Sequence, residues 1–184
     1  MAIVEFSGEY EFLSNFYPAT VKIAGVTFPS NEHAFQGLKS DRIDVVRQFS
    51  DPKMTPGEAK KLGQKIQLRK DWDKVKVGLM YTINREKFSN HENLKRLLLA
   101  TEHTELVECN SWGDKVWGVS LSDGEGENLL GKILMTIRGE LRHLEDLKTK
   151  KKEEKENTPK EDVPLKPKKT YAAKEFILPL LEGE

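Results

Sequence analysis

Apolar residues recur every three or four positions through much of the chain, which is the spacing of amphipathic helices that pack on a core. Three segments carry the pattern most strongly: 71–88, 91–100 and 129–144. The last has the longest apolar stripe, made of Leu130, Ile133, Leu134, Ile137, Leu141 and Leu144. We predict that these helices form most of the core and that the final one ends at about Leu144.

Shorter elements are predicted elsewhere in the domain. Segments 3–6 and 21–28 are rich in β-forming residues, and Ala24-Gly25 predicts a hairpin turn within the second. Another short strand is predicted at 106–110. Short helices are predicted at 30–39, 43–49 and 55–63. The predicted fold class is therefore α+β, predominantly helical with a small sheet.

The composition changes abruptly after residue 146. Segment 148–169 is charged, contains prolines and has almost nothing to bury, which is typical of a disordered linker. Apolar residues return at 171–181, in a stretch suited to docking on the domain, on a second protomer or on a partner. We predict one domain over 1–146 and a charged linker with a short apolar C-terminal segment over 147–184.

Charge and length narrow the classes of protein that fit. The 184 residues suffice for one domain with a real core. The formal net charge is zero although 33% of residues are charged, which disfavours a globally basic nucleic-acid binder but leaves room for a local basic cleft. No apolar run approaches the ~20 residues of a membrane span, and the N-terminus lacks the pattern of a secretory signal.

Cysteine and histidine usage points to a reducing compartment and to a site without metal. The single cysteine, Cys109, excludes an intrachain disulfide, so we predict a cytoplasmic location. Four scattered histidines and one cysteine form no recognisable zinc pattern. We predict neither a metal site nor a cofactor, and the oligomeric state stays open.

The predicted helix 30–39 carries a distinctive set of polar side chains. Ser30 is placed to be its N-cap, and Glu32 falls in the first turn, where free N–H groups and the helix dipole favour a carboxylate. At helical spacing Glu32, Gln36 and Lys39 share one face, and the opposite face is apolar. The helix thus offers an acid, an amide and an amine to one side. The alternative is the solvated polar face of an ordinary surface helix.

Several motifs in order resemble those of a known family. The stretches FLSNFYP (12–18) and FPSNEHAFQGLK (28–39) are similar to the opening motifs of the NADAR or YbiA-like N-glycosidases. Further motifs follow in the family's order: DW with Lys, Met and KF after it, then WGD, then GxNxLGxxLM. The resemblance therefore spans roughly 6–144. It implies a YbiA-like domain that cleaves a base-to-ribose C–N bond in a nucleotide-like substrate.

The resemblance implies a set of catalytic side chains. Breaking a ribosyl C–N bond builds positive charge on the sugar, which a carboxylate stabilises while a second acidic group assists the leaving base. Glu32 and Asp114 match family positions for this pair, and Trp72 for a ring that stacks on the base. From the residues alone, Asp114 equally suits a turn beside Gly113.

A lysine amine offers a second chemical route. Attack on the anomeric carbon would open to a Schiff base, provided that the lysine pKa is low enough to expose a lone pair. Lys39 and Lys76 are the candidates, and we favour Lys76 because partial burial beside Trp72 would lower its pKa, whereas Glu32 would keep Lys39 protonated. The alternatives are a salt bridge, or a Lys76 charge that snorkels to the surface.

Further motif positions imply contacts to substrate. These are Asn15, Phe16, Gln36, Arg69, Trp117, Gly118 and Asn128. Each has an ordinary structural alternative, because loop asparagines brace turns, tryptophans fill cores, glycine-rich segments make turns and basic runs are often solvated.

Two substrate classes agree with the resemblance. One is ADP-ribose attached to guanine, in a nucleoside or in DNA, and we predict its removal as the function. The other is a phosphoribosylated pyrimidine intermediate of riboflavin synthesis. A hypothesis of another class is a non-catalytic module that binds ADP-ribose or modified nucleic acid. No membrane partner is predicted.

Overall fold

The computed structural model of the protein describes residues 2–157. Its helices are α1 (Asn31–Gly37), α2 (Ile43–Gln48), α3 (Pro56–Gly63), α4 (Trp72–Asn90), α5 (Glu92–Ala100) and α6 (Leu129–Asn157). Its strands are β1 (Ala2–Ile3), β2 (Val21–Ile23), β3 (Val26–Phe28), β4 (Glu105–Leu106), β5 (Cys109–Asn110) and β6 (Val119–Ser120). A 3-10 helix, Gly8–Leu13, lies between β1 and β2.

The strands described within residues 2–157 pair as three small sheets. β1 runs parallel to β4 and β5 parallel to β6, while β2 and β3 form an antiparallel hairpin. Ala24 and Gly25 have φ values of 50° and 81°, as a two-residue hairpin turn requires. The predicted hairpin and the predicted fold class, α+β and predominantly helical, are confirmed.

Helix α1 lies at the centre of the domain and is buried along its whole length. It packs against α3 on one side and α4 on another. The largest apolar side chains that are fully buried come from many elements: Leu13, Phe28, Phe49, Met80, Ile83, Phe88, Leu98, Leu106, Leu134 and Ile137. Burial of each such side chain contributes about 1.5–3 kcal/mol, so this core holds α1 firmly in place.

The three long predicted helices are present, but the last one is longer than predicted. Helix α6 continues past Leu144 to Asn157, although its apolar stripe is no longer buried beyond Leu141. Ion pairs between neighbouring turns support the exposed part: Lys148 with Glu145 at 3.7 Å and Lys152 with Glu156 at 3.9 Å. The last helix therefore continues beyond the predicted end at about Leu144 and into the predicted linker, as far as residue 157.

The chain divides into two compact units, 1–149 and 150–184. Of the second unit, only the final turns of α6 belong to the described residues. The rest of the predicted linker and the apolar stretch 171–181 lie outside them, and the predicted domain boundary at residue 146 remains a prediction. None of the helices found in residues 2–157 has the length and apolar character needed to cross a bilayer.

Candidate active site

A cavity of about 1270 Å³ lies between α1, α3 and the loops around β5. The acidic and basic side chains on its wall are Glu5, Glu11, Glu32, Lys39, Lys60, Lys61, Glu108 and Asp114. Its aromatic side chains are Phe6, Phe16, Phe35, Trp112 and Trp117. This volume exceeds the ~300–1,000 Å³ typical of pockets for drug-sized ligands. Within residues 2–157, no group of three or more His, Cys, Asp or Glu side chains is arranged to hold a metal ion.

Helix α1 presents Glu32 and Gln36 to this cavity from buried positions. Glu32 is 6% exposed, and its Oε1 accepts a 2.8 Å hydrogen bond from Nε2 of Gln36. The backbone N–H of Glu32 donates to the carbonyl of Asn15, which fastens the preceding aromatic loop to the start of the helix. The predicted polar face therefore exists, and it lines this partly open cavity instead of forming an exposed helix surface.

Buried polar side chains hold α1 from behind. Ser30 occupies the predicted N-cap position, yet its hydroxyl pairs with Nδ1 of His33 at 2.8 Å and no helix N–H bonds to it. Nδ2 of Asn31 donates to Oδ1 of both Asn15 and Asn84, at 3.2 and 2.9 Å. These contacts tie the loop, α1 and α4 together, so the position of Glu32 is defined by three separate parts of the chain.

Opposing influences act on the charges of Glu32 and Lys39. Burial raises the pKa of Glu32, whereas the hydrogen bond from Gln36 and the charges of Lys60 and Lys39 act to lower it. Burial lowers the pKa of Lys39, and the Glu32 carboxylate acts to raise it. Each group therefore stabilises the charge of the other in a poorly solvated setting.

The opposite wall is a loop that Asn110 and Asp114 hold in shape. Nδ2 of Asn110 donates to the Asp114 carbonyl at 2.7 Å, and its Oδ1 accepts from the Asp114 N–H at 2.8 Å. Oδ1 of Asp114 accepts from the N–H groups of Val116 and Trp117 at 3.0 and 2.9 Å. The sequence offered two alternatives for Asp114, a turn residue or a carboxylate of the site. In the structure its side chain stabilises the turn and also lines the cavity.

Glu108 is a further carboxylate on the wall, and the sequence analysis missed it. Its Oε2 is buried and has no hydrogen-bond partner among the described residues. Burial, reinforced by the negative charge of Asp114, raises the pKa of Glu108 to about 7, while Lys60 acts in the opposite direction. The available signal was a charged residue inside a segment predicted to be a short strand.

Lys60 is the second residue that the sequence analysis missed. In the sequence it belongs to a basic segment that suits either a solvated surface or a phosphate-facing patch, and α3 carries it to the cavity wall. Its Nζ lies 5.8 Å from the ring centroid of Phe16 and 5.2 Å from that of Trp112. Its charge also favours the ionised forms of Glu32 and Glu108, so one cation influences both walls.

Seven of the residues predicted for the site lie on the cavity wall. They are Asn15, Phe16, Glu32, Gln36, Lys39, Asp114 and Trp117. They come from three stretches of the chain that are far apart in sequence. The fold therefore brings both predicted carboxylates and one of the two candidate lysines to a single cavity.

The structure does not bring Trp72 and Lys76 to the wall. Trp72 packs against Phe35, with ring centroids 5.1 Å apart, so it lies behind the α1 wall as a support. Nζ of Lys76 forms an ion pair with Asp73 on the same helix at 2.7 Å. The preference for Lys76 over Lys39 therefore has no geometric support, because Lys76 lies away from the cavity and Lys39 lines it.

Arg69, Gly118 and Asn128 also lie outside the wall, each for a structural reason. Arg69 makes two hydrogen bonds to the Asp71 carboxylate, at 2.6 and 3.1 Å. Asn128 accepts from the Glu108 N–H at 3.1 Å and donates to the Leu106 carbonyl at 2.9 Å. A side chain at Gly118 would collide with the Glu108 backbone. Asn128 and Gly118 thereby position Glu108.

Comparison with known proteins places the chain in a family. The NADAR domain family matches residues 5–142. N-glycosidase YbiA of Escherichia coli (strain K12) is 36% identical over 140 residues, covering 73% of this chain and 84% of that protein. The NMR structure of E. coli YbiA matches with a TM-score of 0.69 and 34% identity, covering 80% of this chain and 86% of that one.

Two further relatives extend the comparison. N-glycosidase Npun_R5314 of Nostoc punctiforme is 36% identical over 139 residues, covering 73% of this chain and 88% of that protein. A riboflavin biosynthesis protein of Vibrio vulnificus (strain YJ016) is 39% identical over 132 residues, or 71% of this chain, and the match spans only 35% of that longer protein. The chain belongs to the NADAR domain family and is an N-glycosidase, a hydrolase acting on N-glycosyl bonds.

Proposed function

We propose that the enzyme removes ADP-ribose from guanine, in a nucleoside or in DNA. The observation that carries this proposal is the cavity of about 1270 Å³, which is larger than a single phosphoribosyl group requires. A guanine that bears ADP-ribose contains two bases and a diphosphate, and so needs a long site with cations along it. Lys39, Lys60 and Lys61 on the wall supply such cations.

In the proposed chemistry, Glu32 and Asp114 stabilise the positive charge that develops on the ribose. An oxocarbenium-like transition state is stabilised by carboxylates that the protein holds in place near the ribose. Lys39 and Lys60 favour the ionised form of Glu32. One of the two carboxylates also accepts the proton of the attacking water as the water oxygen bonds to the anomeric carbon.

Glu108 is proposed as the acid that protonates the leaving base. Its pKa of about 7 keeps a large share of it protonated near neutral pH, and its buried Oε2 has no partner among the described residues to take up that proton. As the C–N bond breaks, its electron pair moves to the base nitrogen, which accepts the proton of Glu108. An acid whose pKa lies close to the working pH is well matched to this task.

Incubation with ADP-ribosylated guanosine tests the proposal. We expect free ADP-ribose and guanosine, separated by chromatography, and a slower reaction with a phosphoribosylated aminopyrimidine. The reverse preference would support the alternative function, riboflavin-intermediate hydrolysis, which the similarity to the riboflavin biosynthesis protein of Vibrio vulnificus favours. Binding without any turnover of either compound would support a non-catalytic reader.

The lysine route makes a prediction of its own. If an amine attacks the sugar, borohydride added during turnover is expected to trap ribose on Lys39 and not on Lys76, because only Lys39 lies on the cavity wall. Peptide mapping by mass spectrometry locates any adduct. Lys39→Arg should abolish it, since arginine stays protonated, while Lys61→Arg is a matched control on the same wall. An adduct on Lys76 would contradict this prediction.

A cytoplasmic location is part of the proposal. It is supported by the free thiol of Cys109, which lies on the cavity wall and would be exposed to oxidation in an oxidising compartment. The proposed partner is the nucleotide substrate itself, as a free nucleoside or within DNA.

A further inference from the structure

Three side chains stand together at the outer part of the cavity: Phe16, Lys60 and Trp112, here called the rim cluster. Trp112 is 63% exposed and Phe16 is 41% exposed, although both line the cavity. The Lys60 ammonium lies 5.8 Å from the Phe16 ring centroid and 5.2 Å from that of Trp112. Two exposed rings thus flank one cation, and the cleavage chemistry proposed above gives neither ring a role.

The rings are presented by well-anchored segments. The residue before Phe16 accepts a backbone hydrogen bond from the start of α1. Trp112 lies in the loop that Asn110 holds through hydrogen bonds to both backbone groups of Asp114. Large aromatic side chains are usually buried, since their exposure forfeits much apolar burial. Fixed, exposed rings beside a cavity are therefore suited to bind a planar group.

We infer that the rim cluster is a subsite for a nucleobase other than the one whose bond is cleaved, with Lys60 placed to contact the adjoining phosphate. Nucleobases stack on aromatic rings with little dependence on sequence, and a nearby cation adds attraction to the phosphate. The inference rests on the proposed function for the inner end of the cavity, where Glu32, Glu108 and Asp114 line the wall. The base at the rim is either the adenine of ADP-ribose or a neighbouring nucleotide of DNA.

Binding of uncleaved ligands tests the subsite independently of catalysis. Calorimetry with ADP-ribose, AMP and ribose 5-phosphate compares ligands with and without a second base. We expect Trp112→Ala and Phe16→Ala each to weaken ADP-ribose and AMP about 10-fold, with ribose 5-phosphate unchanged. Leu121→Ala is the matched control, because Leu121 is also an apolar cavity residue and is 58% exposed.

Two further measurements separate stacking from a structural effect. Trp112→Phe keeps an aromatic face and should restore most of the lost affinity. The exposed Trp112 should also report binding as quenched fluorescence, and Trp112→Phe should remove that part of the signal.

The second arm identifies the source of the base. If Trp112→Ala weakens a single-stranded oligonucleotide but not ADP-ribose or AMP, the rim binds a neighbouring nucleotide of DNA. If it weakens ADP-ribose and AMP, the rim binds adenine. Affinities for every ligand that match those of Leu121→Ala would overturn the inference. Because the ligands are not cleaved, that result would leave the proposed hydrolysis standing, and loss of hydrolysis alone would leave the subsite standing.

Discussion

Replacing Glu32 by glutamine is expected to lower kcat by about 10²–10³-fold without unfolding the protein. The substitution keeps an oxygen that can accept the hydrogen bond from Gln36, so α1 should stay in place. In the proposed mechanism it removes the negative charge that faces the developing oxocarbenium ion, and one well-placed electrostatic group is worth about 3–4 kcal/mol. Turnover of ADP-ribosylated guanosine under saturating substrate measures the effect.

Glu11→Gln is the control for this variant, because Glu11 is an exposed carboxylate on the same cavity wall. Its kcat should stay within about twofold of wild type, since exposed charges are screened. Circular dichroism and thermal melting check that both variants are folded. A folded Glu32→Gln protein with wild-type turnover would remove Glu32 from the mechanism.

Replacing Glu108 by glutamine is expected to lower kcat about 10²–10⁴-fold and to change the pH profile. In the proposed mechanism only protonated Glu108 supports turnover, so wild-type activity should fall as the pH rises through about 7. Glutamine carries no titrating proton, and the residual activity of the variant should therefore lack this basic limb. Glu105→Gln is the control, because it alters an exposed carboxylate nearby. It should keep both the wild-type kcat and the fall in activity at high pH.

The pH dependence of stability tests the raised pKa of Glu108 without any measurement of turnover. Because its pKa is raised from 4.5 to about 7, its protonation favours the folded state below pH 4.5, and this contribution is lost as the pH rises through 7. The melting temperature of Glu108→Gln minus that of wild type should therefore increase between pH 4.5 and 7. A difference that is constant over this range would mean that Glu108 titrates normally.

Local periodicity was sufficient to predict the helices of the fold. Segments 71–88 and 91–100 match α4 and α5 closely, because the apolar residues at helical spacing are among those that each helix buries. The end of α6 was not predicted, since composition alone does not distinguish a charged helix held by ion pairs from a charged linker.

The site was predictable only where one short motif contained it. Glu32, Gln36 and Lys39 share a helical face, and that local fact survives in the structure. Whether the face meets solvent or a cavity depends on the loop after β5, which is far away in sequence. Glu108 and Lys60 were missed for the same reason, because neither has a chemical meaning until β5 and α3 lie opposite α1.

The parallel pairing of β1 with β4 bears on how the enzyme is made. β1 begins at Ala2 and its partner only at Glu105, so two parts of the domain that are about 100 residues apart must meet before this sheet forms. A ribosome that adds about 5–20 residues per second leaves the first strand without its partner for many seconds. During that interval α1, with its carboxylate and amide side chains, lacks the loop that covers it. The cavity wall uses residues from Glu5 to Leu130, so it can be completed only after most of the domain has been synthesised.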